Sequence, residues 1–288
     1  MMSKKQRIFS IKAIMVFVTI LLLFEGVVSA KPKYKLEAKQ RLQEYTVRIY
    51  YDDKTGKGMF EILKKGKRVY QKSDESKFYI GSLPNSEDEV SNDLIKMGND
   101  ITGNGIPNLV ISEWTQGAHC CFNFDVFEFG QQFHFLAKIE AEDGDLSHFA
   151  NLDGDSDLEF VGNDWTFAYW RTSFAASPTP DVILRFRDGA YKLVEDLMRK
   201  PAPSETELDA KIQEVQTSTS WQQQDPPEIL WGEMLDLIYS GHADLAWQFF
   251  DKAWPANMPG KDGFLTDFRS QLAKSPYWSQ IEHLNAEK

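Results

Sequence analysis

From residue 44 to 197 the chain alternates short apolar runs with turn residues, and a helical repeat is scarce. Residues 45–51 (YTVRIYY) are β-branched and aromatic with rough alternation, and the run stops at a polar Asp-Asp-Lys-Thr-Gly stretch. Such side chains suit a pleated, half-buried surface, so a strand is predicted there. Residues 59–63 and 68–71 flank Lys65-Gly66, and residues 182–186 and 191–194 flank Asp188-Gly189. Both pairs read as hairpins, because residues tolerating positive φ close two-residue turns. Further strands are predicted over residues 109–114, 122–129, 133–139 and 158–161.

After residue 200 the period changes. Pro201 and Pro203 break the chain, and Ser204 followed three residues later by Glu207 is a capping box that opens a helix. Another helix is predicted after Pro227, with Trp231, Met234, Leu235 and Ile238 on one face of a 3.6-residue repeat. A break at Ser240-Gly241 leads to a further helix striped by Ala246, Phe249, Phe250 and Ala253, with additional helical turns after Gly260. The pattern therefore predicts a β-rich region over 31–200 and an α-helical region over 201–288.

The first 30 residues follow a different logic. Lys4, Lys5, Arg7 and Lys12 precede an uncharged, apolar-rich run from residue 13 to 24, and Val28-Ser29-Ala30 supplies small residues for cleavage. That is the form of a secretory signal, and a run of 12 residues falls short of the roughly 20 a membrane span needs. Export to the periplasm or the medium is expected, with no stable membrane span after cleavage. The whole chain of 288 residues carries 43 acidic against 32 basic residues, a net charge of −11. An acidic chain lacks the basic footprint of a nucleic-acid binder.

Two segments 51 residues apart share one template. Asp100, Thr102, Asn104 and Asn108 stand at loop positions one, three, five and nine of the first, with Gly103 at four. Asn151, Asp153, Asp155 and Glu159 stand at the same positions of the second, with Gly154 at four. Oxygen ligands on alternate residues of a curled loop are what calcium requires, since six to eight oxygens must converge at about 2.3–2.6 Å. A backbone carbonyl at position seven, from Ile106 or Asp157, completes such a loop. An EF-hand is excluded: position twelve is Ile111 or Gly162 rather than Glu, and a strand follows instead of a helix. The second loop crowds Asp153, Asp155, Asp157 and Glu159 together, and like charges about 5 Å apart repel by roughly 3 kcal/mol at an effective dielectric near 20. A divalent cation reverses that sign. The first loop has one carboxylate, and either weak ion binding or a plain Asx turn accounts for it.

This pattern resembles the FG-GAP or VCBS-type calcium loops of repeat proteins such as the integrin α β-propeller. The resemblance covers the two loops and the strands after them. It implies an antiparallel, β-propeller-like or partial-propeller repeat with structural calcium between strands, since two copies are too few for a closed propeller of four or more blades.

Two further stretches carry possible chemistry. His119, Cys120 and Cys121 hold both cysteines of the chain. In an oxidising compartment the pair can form a vicinal disulfide; the alternatives are two buried thiols, or a second metal held with His148 or Glu113. Trp165, Tyr169, Trp170 and Arg171 lie within seven residues. Exposed, they would stack on a glycan or peptide; buried, they would pack sheets together. No nucleophile elbow, His-Glu-x-x-His, Walker loop or dinucleotide fingerprint is present. The expectation is an exported, calcium-binding, non-catalytic β-repeat protein with a protein or glycan partner. The alternative is a metal- or thiol-dependent enzyme centred on His119, Cys120 and Cys121.

Overall fold

A computed structural model describes residues 33–83, 95–118, 120–144 and 146–286. The predicted signal segment and His119 lie outside these residues.

Among the described residues the chain folds as three four-stranded antiparallel sheets followed by helices. The first sheet is Lys35–Leu42 (β1), Tyr45–Asp52 (β2), Lys57–Lys64 (β3) and Lys67–Asp74 (β4). The second is Lys77–Ile80 (β5), Asn108–Trp114 (β6), Phe122–Phe129 (β7) and Phe133–Glu142 (β8). The third is His148–Ala150 (β9), Glu159–Asn163 (β10), Asp181–Arg187 (β11) and Ala190–Leu193 (β12). In each sheet the strands neighbour one another in chain order, so every connection is a hairpin-like return. The turns at Lys65-Gly66 and Asp188-Gly189 have positive φ at both residues, 50° and 78° in one and 52° and 82° in the other. That geometry matches the twist of the strands it joins.

Side-chain alternation decides how the sheets stack. Val47 and Ile49 of β2 and Phe60 and Ile62 of β3 share a core with Leu109, Ile111 and Phe127 of the second sheet. Val110, Phe124 and Val126 point the other way, into a core with Phe149, Phe160, Val182 and Leu184 of the third. Strand β6 is therefore buried on both faces, and its centre Leu109-Val110-Ile111 is consecutively apolar rather than alternating. Lys72 of β4 crosses from the first sheet to the second, its Nζ 2.8 Å from Glu113 and 2.9 Å from Asp125, both buried.

The stack does not close into a ring among the described residues. The outward face of the first sheet carries a polar group in which Glu61 accepts from Arg48 at 3.1 Å and from Tyr50 at 2.9 Å. The third sheet packs instead against the helices Glu195–Met198 (α1), Glu205–Gln216 (α2), Glu228–Tyr239 (α3), Ala243–Ala253 (α4), Lys261–Leu272 (α5) and Trp278–Ala286 (α6). The Ser204–Glu207 capping box opens α2. Buried Trp231, Met234, Leu235 and Ile238 of α3 join the same core as the third sheet. The helices are thus a fourth layer and not a separate body. Asp164, 3% exposed at the end of β10, is the polar rivet of that joint: its Oδ2 accepts from Tyr239 and from Ser275, each at 2.5 Å.

Candidate cation-binding loop

The two template segments occupy the same place in successive sheets. Residues 100–108 lead into β6, residues 151–159 into β10, each between the first and second strands of its sheet. In the first sheet that connection is only the two-residue turn Gln43-Glu44. Hydrogen bonds repeat position by position. The ninth side chain accepts the second residue's N–H: Ile101 donates to Asn108 Oδ1 and Leu152 to Glu159 Oε2, both at 2.8 Å. The fifth accepts the seventh N–H: Ile106 donates to Asn104 at 2.9 Å and Asp157 to Asp155 at 3.0 Å. Gly103 and Gly154 are left-handed at the fourth position, with φ of 68° and 84°.

The loops also touch. Leu158 N donates to Ile101 O at 3.1 Å, and Thr102 forms an isolated antiparallel bridge with Asp157. A Cβ on Gly103 would lie 2.8 Å from Ser156 Oγ and 3.0 Å from Asp157 Cβ, so only glycine permits this approach. The residue matching Leu158 in the first loop is Pro107, which has no N–H, and the preceding sheet has no such loop to receive one.

The loops differ in the oxygens left over. In the first, Asp100 gives one oxygen to Thr102 N at 3.2 Å and the other to Gly105 N at 2.7 Å. Asn108, 1% exposed, accepts from Ile101 and donates to Phe127 O at 3.3 Å; Asn104 donates to Glu128 at 2.7 Å. The structure thus turns this loop's side-chain oxygens onto its own backbone. In the second loop each acidic ligand keeps one oxygen free of the backbone. Asp153 Oδ1 accepts from Asp155 N at 3.1 Å, while Asp153 Oδ2, Asp155 Oδ2 and Glu159 Oε1 converge on the guanidinium of Arg185. Asn151 does not join them: its oxygen accepts from Gly154 and its nitrogen donates to Asp155 O.

Arg185 enters from β11, one step beyond the Phe160–Leu184 pair and so across from Glu159. Its Nη2 is 2.5 Å from Asp153, its Nη1 3.2 Å from Asp155, and both Nε and Nη2 donate to Glu159. Arg187, two residues along the same face, pairs with Asp157. Arg185 holds the Asp153 carboxyl below its usual range. Asp155 is pushed up, chiefly by the neighbouring Asp157 carboxylate and then by burial. For Asp157 burial works upward, but Arg187 and Asp155 bring it below its ordinary value. Burial pulls the arginine's own value down, but Asp153 and Glu159 outweigh it and the net shift is upward.

These arginines were missed in the sequence. The sequence marks them only as two basic residues on alternate positions of a largely apolar strand; the register of β11 against β10 sets Arg185 across from Glu159. The like-charge repulsion that calls for a divalent ion is partly answered from within the chain. Two guanidiniums against four carboxylates still leave the loop two negative charges in excess. The ligand atoms of Asp153, Asp155 and Glu159 lie within 4.8 Å of one another. That spacing lets the three carboxylates reach one metal ion.

The other candidate residues fall elsewhere. Cys120 and Cys121 are joined as a vicinal disulfide in the connection between β6 and β7. Cys121 N donates to Thr115 Oγ1 at 2.6 Å, and Gln116 ties this connection to the first sheet through Gly56 O and the Tyr51 hydroxyl. Glu113, weighed as a partner for the cysteines, is engaged by Lys72 instead. Of the aromatic stretch, Trp170 is not on an open surface: its ring lies 5.4 Å from Trp231 and 5.5 Å from Phe264, at the joint with the helices. Arg171 pairs with Asp267 at 2.5 Å and lies over Trp170. Trp165 stacks on Phe174, and Tyr169, 59% exposed, is the aromatic member that faces solvent. A cavity of 540 Å³ opens among Arg199, Gly241, His242, Ala243, Asp244, Leu245 and Asn285, and none of these belongs to either loop.

Comparison with protein-family models, with curated proteins and with solved structures finds no match to this chain. No helix among the described residues is long and apolar enough to cross a membrane.

Proposed function

We propose that the chain is an exported, calcium-binding, non-catalytic β-repeat protein that acts as a binding or envelope structural module. One observation carries the reading: three carboxylates in one loop each aim a spare oxygen at a common point. Asp153, Asp155 and Glu159 would hold the ion, with Asp157 at the seventh position. Bound calcium supplies charge neutralisation and a fixed loop shape; it takes no part in a reaction. The repeated loop geometry supports the likeness to FG-GAP and VCBS-type repeats, in an open stack of sheets. The first loop is assigned no ion, because its oxygens are spent on its own amides. Loops held on a rigid β scaffold are where such a module meets a protein or glycan partner.

The thiol-enzyme alternative is not favoured, since a disulfide offers no thiolate to act as nucleophile or ligand while it is intact. The calcium reading is tested by thermal melting in calcium chloride and in EGTA. The wild-type melting temperature rises with calcium, and Asp153→Ala combined with Asp155→Ala removes the rise. An unchanged wild-type melt across the two buffers overturns the reading.

A further inference from the structure

The point at which the loop oxygens converge is held by a side chain from another strand. Arg185 is 26 residues beyond Glu159 in sequence, its side chain is 11% exposed, and it contacts Asp153, Asp155 and Glu159 together. It is the group in this chain that already satisfies what a cation at this point would satisfy. Calcium and this guanidinium therefore use the same oxygens: Asp153 Oδ2, Asp155 Oδ2 and Glu159 Oε1. Arg187 is placed differently. It pairs with Asp157, is 47% exposed, and makes no ion pair with the other three carboxylates.

We propose that Arg185 is a built-in competitor for the calcium site: it stands in for the ion in the metal-free protein and is displaced from the carboxylates when calcium binds. This rests on the calcium reading above. Two consequences follow. The metal-free loop keeps its shape, because Arg185 screens carboxylates that would otherwise repel at close range. The site is also weakened, because binding must break a buried, forked guanidinium–carboxylate contact before the ion's own bonds form. The expected affinity is that of extracellular calcium modules, about 10⁻⁴–10⁻³ M. The site would then respond to calcium outside the cell and ignore cytosolic levels. Displacement also links the ion to β11, since the freed arginine must move away from β10 along the face it shares with Arg187 and Ile183.

The test titrates the full chain with calcium chloride by calorimetry, and melts it in calcium and in EGTA, for wild type, Arg185→Gln, Arg185→Lys and Arg187→Gln. Arg185→Gln binds calcium at least tenfold more tightly than wild type and melts lower in EGTA, while in saturating calcium its melting temperature approaches that of wild type. Arg185→Lys, which keeps the charge but lacks the fork, falls between the two and keeps the experiment readable if the glutamine variant folds only with calcium. Arg187→Gln shifts affinity less than Arg185→Gln. Equal calcium affinity in wild type and both Arg185 variants overturns the competitor and leaves the calcium site standing. Absence of binding by every variant, Arg185→Gln included, overturns the calcium site and the competitor with it.

Discussion

The two loops are built on one hydrogen-bonded frame and filled with different charge. In each, the ninth side chain caps the second amide and the fifth caps the seventh, and both run into the second strand of a sheet. The first loop stands on hydrogen bonds without added positive charge, with Asp100 spending both oxygens on amides. The second keeps spare oxygens and needs positive charge to hold them together. The backbone frame is thus a turn-making device in its own right. Cation demand is a second property, added by replacing Thr102, Asn104 and Asn108 with Asp153, Asp155 and Glu159 at matching positions.

The ninth position offers the sharpest way to break that comparison. Glu159 is fully buried, caps Leu152 and receives Arg185. Removing it leaves the Leu152 amide without an acceptor and takes from Arg185 its one fully buried carboxylate, with Asp153 and Asp155 still paired to the guanidinium. Breaking a buried pair costs about 3–5 kcal/mol. Glu159→Ala is expected to lose an amount in that range by denaturant unfolding in EGTA. Asn108→Ala leaves the Ile101 amide without its acceptor and the Phe127 carbonyl without its donor, which costs about 1–3 kcal/mol. If the two variants lose the same stability, charge adds nothing to the frame and the distinction between the loops fails.

Much of this was legible in the residue pattern, and the misses have physical causes. The loops were found because ligand spacing is local and survives in sequence. The strands of β2, β6, β7 and β11 were found because apolar side chains mark them. Strand β1 was not, because its residues KLEAKQRL lie on an exposed edge where charge guards against edge pairing. Strands β5 and β9 are too short, at four and three residues, to show a period. Arg185 escaped because its role depends on the register of β10 against β11, which no local spacing encodes. The aromatic stretch could be read either way until the helices supplied Trp231, Phe264 and Phe268 as partners for Trp170 and Phe167.

Acid separates the second loop from the buried carboxylates around Lys72. Asp153 has a depressed native value, so its contribution is present above the unfolded value near 3.9 and fades as pH falls through the native one. Asp125 is shifted the other way, because burial outweighs the pull of Lys72. The native state there takes up its proton before the unfolded chain does, so acidification favours the fold at that point. Melting temperatures measured from pH 6 down to pH 3 should therefore fall less steeply in Asp153→Asn than in wild type, and more steeply in Asp125→Asn. Parallel profiles for all three proteins would place the acid-sensitive groups outside both clusters.

The smallest expected effect lies at the fifth position, where the comparison becomes one of sign. Asn104 is exposed, and its two partners, the Ile106 amide and the Glu128 carboxylate, can turn to water when it is removed. Asn104→Ala should cost about 0.5 kcal/mol, the usual scale for an exposed substitution, and the same amount with or without calcium. Asp155→Ala removes an equivalent amide cap but also a carboxylate that repels Asp157. In EGTA the lost cap and the relieved repulsion oppose each other, so its melt should lie close to wild type. In calcium only the loss of a ligand remains, and the melt should fall well below wild type. The informative quantity is the difference between buffers. It should be near zero for Asn104→Ala and clearly negative for Asp155→Ala, and a buffer-independent Asp155→Ala would reduce the second loop to a charged copy of the first.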